Sequence, residues 1–283
     1  MNLITYHRRL ARARRELRAD VERINYGPSA RQYLLLATPA GVPLGNVRGL
    51  AFYFHGGGWT FGRPEWFLPA ARPWLDRGYA VALPSHRRPP AVGLDRIVTD
   101  CWSAVTATAR AYAAATVSAP PSSHRSFSIP LAPAAAPPDT FPPADFGLHL
   151  GGISSGAHLA AVLATDPERW LTEGFAAPPR KVLLSAGPLD LSLLPTRPLR
   201  SRYAHLDPLR RLAPATENSP RWLLQHGLKD RLVPPANSRH FADRLAELGH
   251  DYELDLLPNV THPEAGAWAF DDRLRTRIDA FLA

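Results

Sequence analysis

The residues that could do chemistry in this chain sit in three short stretches far apart in the sequence. The first is Gly152-Ile153-Ser154-Ser155-Gly156. Glycines stand two residues either side of Ser154, as a turn too tight for side chains at its shoulders demands. An apolar run at 146–151 precedes it, and the helix-forming Ala157-His158-Leu159-Ala160-Ala161-Val162-Leu163 follows. A strand–turn–helix of this kind lifts a hydroxyl off a sheet and aims it at a helix N-terminus. Free amides and the helix dipole there stabilise an oxyanion. Ser154 is therefore the candidate nucleophile, and the Ser155 amide a candidate oxyanion donor.

The second stretch is His55-Gly56-Gly57-Gly58-Trp59, directly after the apolar run 50–54. Consecutive glycines let backbone amides approach a carbonyl closely, so Gly57 and Gly58 are the further oxyanion candidates. The bland alternative is a flexible turn. A phosphate cradle does not fit, because no Lys-Ser or Lys-Thr follows at the required spacing and no G-x-G-x-x-G is present.

The third stretch holds the general base. His262 follows a strand-like run at 252–257 and precedes Pro263, a favoured first helical residue. It is expected in a loop at the C-terminal edge of the sheet. His240 and His250 fall within or at the end of a helical run and read as surface residues. The orienting acid is Asp230 or Asp190, each in a loop past a strand. The strand that Asp230 follows favours it, and Ser154, Asp230, His262 is a known chain order for such a triad. Either aspartate also reads as a turn or cap residue.

These loops need a frame. Candidate strands lie at 32–38, 47–55, 79–84, 146–151, 180–186, 221–226 and 252–257. Candidate helices lie at 65–77, 91–115, 155–165, 236–248 and 264–282. Such alternation predicts an α/β fold, a mostly parallel central sheet with helices on both faces. Only Pro39-Ala40-Gly41-Val42-Pro43 separates the first two strands, which predicts an opening antiparallel hairpin. The stretch 116–145, with three Pro-Pro pairs, cannot sustain helix or sheet and reads as a loop insertion in a single domain of 1–283.

The chain of 283 residues carries a formal charge of +8. Residues 1–31 hold eight Arg against three acids, or +5 in one short segment. Leu10, Leu17, Val21 and Ile24 recur there at helical spacing. The segment is expected to form a basic amphipathic helix over about 3–25, packed on the body with its arginines solvated. A membrane-surface or nucleic-acid role is the alternative, and no nucleic-acid partner is expected. No apolar run of about 18 residues indicates a membrane span. The arginine-rich N-terminus lacks the apolar core of a secretory signal. The single Cys101 allows no internal disulfide and suits a cytoplasmic location. No metal-ligand spacing such as H-E-x-x-H is present, and no cofactor or metal is implied.

Taken together, HGGGW, GISSGAHLA, SAGPLDL, HGLKDRLVPP and the late His262 resemble the α/β-hydrolase superfamily. The nearest match is its esterase and lipase branch, with hormone-sensitive-lipase-like carboxylesterases and kynurenine formamidase. The likeness runs from about Tyr26 to the C-terminus, interrupted by 116–145. It implies Ser154 as nucleophile, His262 and Asp230 as its partners, and oxyanion amides from Gly57, Gly58 and Ser155. Two positions depart from the pattern. Ile153 stands where relatives commonly carry Asp or His, and Pro84-Ser85-His86-Arg87 stands where an Asp-Tyr-Arg-type sequence is usual. The expected activity is acyl transfer from a small-molecule ester. The alternatives are an arylformamidase acting on N-formylkynurenine, to which the Gly-Ala-His-Leu-Ala tail points, and a non-catalytic protein retaining the shell.

Overall fold

Strand formation in this chain follows from runs of branched and aromatic residues whose alternate side chains face opposite ways. A computed structural model describes residues 3–117, 146–195 and 197–283. The strands are β1 (Ala19–Asn25), β2 (Tyr33–Pro39), β3 (Gly49–Phe54), β4 (Tyr79–Pro84), β5 (Gly147–Ile153), β6 (Lys181–Ser185), β7 (Arg221–Gly227) and β8 (Tyr252–Leu257). The helices are α1 (Leu3–Glu16), α2 (Pro64–Phe67), α3 (Arg72–Leu75), α4 (Leu94–Val117), α5 (Ser155–Ala164), α6 (Pro167–Thr172), α7 (Arg197–Arg202), α8 (Pro208–Arg211), α9 (Ala236–Glu247) and α10 (Asp272–Leu282).

The strands form one eight-stranded sheet in the order β1-β2-β4-β3-β5-β6-β7-β8. β2 runs antiparallel to both β1 and β4, and every other pairing is parallel. The period of two divides the core. Leu50, Phe52 and Phe54 of β3 face one side, where they pack with α4 and α5. Ala51 and Tyr53 face the other, with Trp74 of α3 and Ile278 and Phe281 of α10. A parallel sheet covered on both faces must be apolar throughout, and β3 and β5 are buried at every position.

Three expectations are corrected. The N-terminal helix ends at Glu16, not near residue 25, and 19–25 form the edge strand β1. β2 offers an open edge, and seven residues of β1 pair along it with only Ile24 buried. The hairpin between the first two predicted strands does not form either. β4 lies between β2 and β3, so the antiparallel hairpin is β1–β2. Sequence adjacency misleads here because β4 returns by a parallel crossover to pair with both β3 and β2, taking the place beside β2 that a direct turn would have given β3. Finally, 65–77 and 264–282 are each interrupted. The first breaks into α2, a 3₁₀ turn and α3; the second into a 3₁₀ turn (Pro263–Ala269) and α10. Prolines 69 and 73 lack the amide that a continuous helix needs in the first, and Asp271 caps a fresh start in the second. The insertion expected at 116–145 lies, from residue 118 onward, outside the described residues. Among the described residues no helix is long and apolar enough to cross a membrane.

Candidate active site

Ser154 follows the last residue of β5 and precedes the first of α5, at the centre of the sheet. Its backbone sits at φ 56, ψ −127, a region that side chains disfavour. Two close approaches force that turn. A Cβ on Gly152 would lie 2.4 Å from the Gly156 carbonyl oxygen, and one on Gly156 would lie 2.0 Å from that of Phe54. Glycine is the residue that fits at both shoulders. The strained residue is held by the Ser154 amide donating to Ser185 at 2.8 Å, which continues the β5–β6 ladder.

His262 reaches this serine from the loop after β8. Its Nε2 lies 2.9 Å from Ser154 Oγ, and its Nδ1 lies 2.6 Å from Asp230 Oδ2. The carboxylate can only accept, so Nδ1 carries the proton and Nε2 is left to accept from the serine hydroxyl. The three residues are 76 and 32 positions apart along the chain (230 − 154 and 262 − 230) and meet because β5, β7 and β8 run parallel with their C-terminal ends together.

Asp230 is tightly held. Its Oδ1 accepts from the amides of Leu232 and Val233, each at 2.9 Å. Its Oδ2 also lies 3.3 Å from Nε2 of the buried His226. Burial pushes the carboxyl up, but the hydrogen bonds from His226, His262 and the Val233 amide outweigh it and hold Asp230 well below the usual carboxylate range. The acid is thus ionised beside the imidazole. Sequence reading missed His226. Its Nε2–H donates to the Val233 carbonyl at 2.9 Å, which leaves Nδ1 to accept from the Ser238 hydroxyl at 2.7 Å. The signal available was its place at the end of β7, four residues before Asp230.

The glycine loop packs directly on the serine. A Cβ on Gly56 would lie 3.4 Å from Ser154 Cβ. Gly57 and Gly58 both have positive φ, 135 and 55. The amides of Thr60 and Phe61 each donate to the Gly57 carbonyl at 3.0 Å, which turns that carbonyl into the loop. Across a trans peptide the Gly58 N–H points the opposite way, out of the turn. Ser155 opens α5, where first-turn amides have no partner within the helix. Beneath the loop, His55 donates from Nδ1 to the Gly56 carbonyl at 2.9 Å and stacks on His86, ring centroids 5.1 Å apart. Burial, with His86 adding to it, holds His55 down to about 3, so this support is a neutral imidazole.

The rival acid Asp190 is elsewhere. Its Oδ2 meets His240 Nδ1 at 2.7 Å, and its Oδ1 accepts from the Ser192 amide. His250, the other histidine read as a surface residue, bonds the Ala213 carbonyl. A cavity of about 400 Å³ lies beside the glycine loop, lined by Trp59, Pro89, Leu94, Ile97, Leu191 and Tyr203 among others. Trp59 is itself at φ 61, its indole edge-on to His158. Trp66 lines a second cavity, and Phe61 is 62% exposed.

A model of the prolyl oligopeptidase family matches residues 148–283, the part of the chain that contains Ser154, Asp230 and His262. No curated protein matches the sequence significantly. Among solved structures the chain is similar to esterase B from Lactobacillus Rhamnosis, with 19% identity, TM-score 0.68, and coverage of 98% of this chain and 90% of that one. It is also similar to a truncated carbohydrate esterase from gut microbiota, with 16% identity, TM-score 0.69, and coverage of 93% and 94%. A third likeness is to Thermogutta terrifontis esterase 2 phosphorylated by paraoxon, with 22% identity, TM-score 0.61, and coverage of 87% and 84%. Strand order, the strained turn at the head of α5 and these likenesses agree: the chain has the fold of the α/β-hydrolase superfamily.

Proposed function

We propose that this protein is a serine hydrolase that cleaves carboxylic esters through an acyl-enzyme. His262 Nε2 takes the Ser154 proton as Oγ attacks the ester carbonyl, and the carbonyl oxygen becomes an oxyanion facing the amides of Gly57, Gly58 and Ser155. The tetrahedral species collapses as the imidazolium returns that proton to the departing alcohol. Water, deprotonated by the same imidazole, then releases the acid and restores the serine. Asp230 keeps the imidazole in the working tautomer and stabilises its cation.

The observation that carries this reading is the unbroken relay Asp230–His262–Ser154, at 2.6 and 2.9 Å, ending on a strained serine. That a similar esterase was captured phosphorylated by paraoxon supports serine chemistry on this fold. The formamidase alternative drew on the tail of the Ser154 turn, but His158 in that tail is buried, bonded to the Leu206 carbonyl and packed under Trp59. It is a packing residue here, and the ester reading is preferred.

The test is Ser154→Ala assayed on a nitrophenyl ester, beside paraoxon labelling of the unaltered protein followed by mass spectrometry. The substitution is expected to lower kcat/KM by about 10⁴-fold or more with the fold intact by circular dichroism. One phosphoryl adduct is expected, on Ser154. Retained hydrolysis in the variant, or an unlabelled Ser154, removes the proposal. Faster turnover of N-formylkynurenine than of any ester restores the formamidase.

A further inference from the structure

We propose that the second cavity receives the alcohol portion of the ester, and that the N-terminal helix α1 is the wall that selects it. This inference rests on the ester reading above. The cavity has a volume of about 350 Å³ and is lined by Leu10 and Ala11 of α1, Trp66 and Phe67 of α2, Ile153 and Gly266, among others. That is within the size range of small-molecule sites, about 300–1,000 Å³.

Two lining residues are chain neighbours of the catalytic relay. Ile153 immediately precedes Ser154, and Gly266 lies four residues past His262 in the 3₁₀ turn. The cavity beside Trp59 shares no lining residue with it, so the two lie apart. Proton return decides which takes which half of the ester. The departing oxygen must receive its proton from His262 Nε2, so it leaves on the imidazole's side. The segment that follows His262 walls the second cavity and not the first. The alcohol therefore enters the cavity under α1, and the acyl chain the cavity beside Trp59.

The departure at Ile153 now has a consequence. Where relatives commonly carry Asp or His, this chain places an aliphatic side chain in the cavity wall against Gly266. A Cβ on Gly266 would lie 2.5 Å from Ile153 Cδ1, so the glycine makes room for it. The ionisable lining residues are Arg14 and Glu65, of opposite sign, and Glu65 accepts from the Tyr33 hydroxyl at 3.0 Å. Neither sign of charge is selected. The cavity fits an uncharged aryl or alkyl alcohol, and Trp66, 51% exposed, offers it a ring face.

Ethyl acetate and 2-naphthyl acetate yield the same acetyl-enzyme, so deacylation is common to both and kcat/KM isolates the alcohol's effect on acylation. Ala11→Trp fills the cavity from an exposed helix position. It is expected to lower kcat/KM for 2-naphthyl acetate about tenfold relative to ethyl acetate. The ratio of nitrophenyl acetate to nitrophenyl butyrate should not move. Trp66→Ala is expected to weaken the naphthyl preference in the same direction. Equal losses on both alcohols, or a changed acyl ratio with the alcohol ratio unmoved, overturns the assignment. If the unaltered protein hydrolyses none of these esters, the ester reading falls and takes this inference with it. If it hydrolyses them and only Ala11→Trp leaves the alcohol ratio unchanged, the role of α1 falls; if both variants leave it unchanged, the cavity assignment falls and the ester reading stands.

Discussion

Two histidine–aspartate pairs stand among the loops and helices at the C-terminal edge of the sheet, and their bonds are nearly the same length. His262 Nδ1 lies 2.6 Å from Asp230, and His240 Nδ1 lies 2.7 Å from Asp190. Both aspartates follow a strand, and both carboxyls are held below their usual range by hydrogen bonds that outweigh burial. The difference lies at the far nitrogen. His262 Nε2 meets Ser154 Oγ, and its side chain is only 14% exposed. The His240 side chain is 47% exposed. The acids differ in their holding as well. Asp230 has two backbone donors and His226 behind it, whereas Asp190 has the amide and hydroxyl of Ser192 and its histidine. A histidine–aspartate pair is thus a common structural bond. What makes one a candidate for catalysis is a third partner and restraint of the acid from behind.

The largest expected contrast is in activity. Asp230→Asn should lower kcat/KM on a nitrophenyl ester by about 10³–10⁴-fold, because an amide no longer enforces the imidazole tautomer. Asp190→Asn should change it less than twofold. Comparable losses in the two variants would erase the distinction between the pairs.

His226→Phe measures the restraint behind Asp230. The loss of a buried donor leaves the Val233 carbonyl and Ser238 hydroxyl short of a partner, which costs about 1–3 kcal/mol in denaturant unfolding. Looser positioning of Asp230 is expected to lower kcat/KM about tenfold. A variant as unstable as predicted but fully active would make His226 a core residue only.

The smallest effect concerns Asp190 alone. The pKa of its carboxyl is depressed, so its ionised form stabilises the fold above the ordinary value of 3.8. That contribution disappears as the pH falls through the lower folded value. At neutral pH Asp190→Asn should therefore melt slightly below the unaltered protein, by less than about 1 kcal/mol, since the pair is partly exposed. The gap in Tm should close as the pH drops below 3.8. A gap that widened in acid would reverse the sign of the linkage.

Much of the site was legible in the sequence because its demands are local. Gly152 and Gly156 are dictated by a turn whose shoulders meet backbone oxygens, so their spacing around Ser154 survives as a pattern. The strands at 79–84 and 252–257 were legible to the residue, since branched and aromatic runs with clean ends report their own conformation. What was not legible depended on partners. β1 looked helical because Leu10, Leu17, Val21 and Ile24 keep helical spacing, and only the open edge of β2 turns its second half into a strand. Asp190 and Asp230 were alike in type, the strand each follows favoured Asp230, and the approach of His240 and His262 separates them in space. His226 carries no motif, since its role is defined by what it supports.

By itself, the sequence determined the chemical types and the tight turns: a serine that only glycine neighbours permit, a glycine loop after a strand, and a histidine late in the chain. These are written in residues within a few positions of one another, where backbone sterics leave little choice. The tertiary structure decided which aspartate serves which histidine, that β4 separates β2 from β3, and that α1 closes a cavity beside Ile153. Those choices follow from burying a sheet on both faces, a requirement that the whole chain satisfies at once and no short segment records.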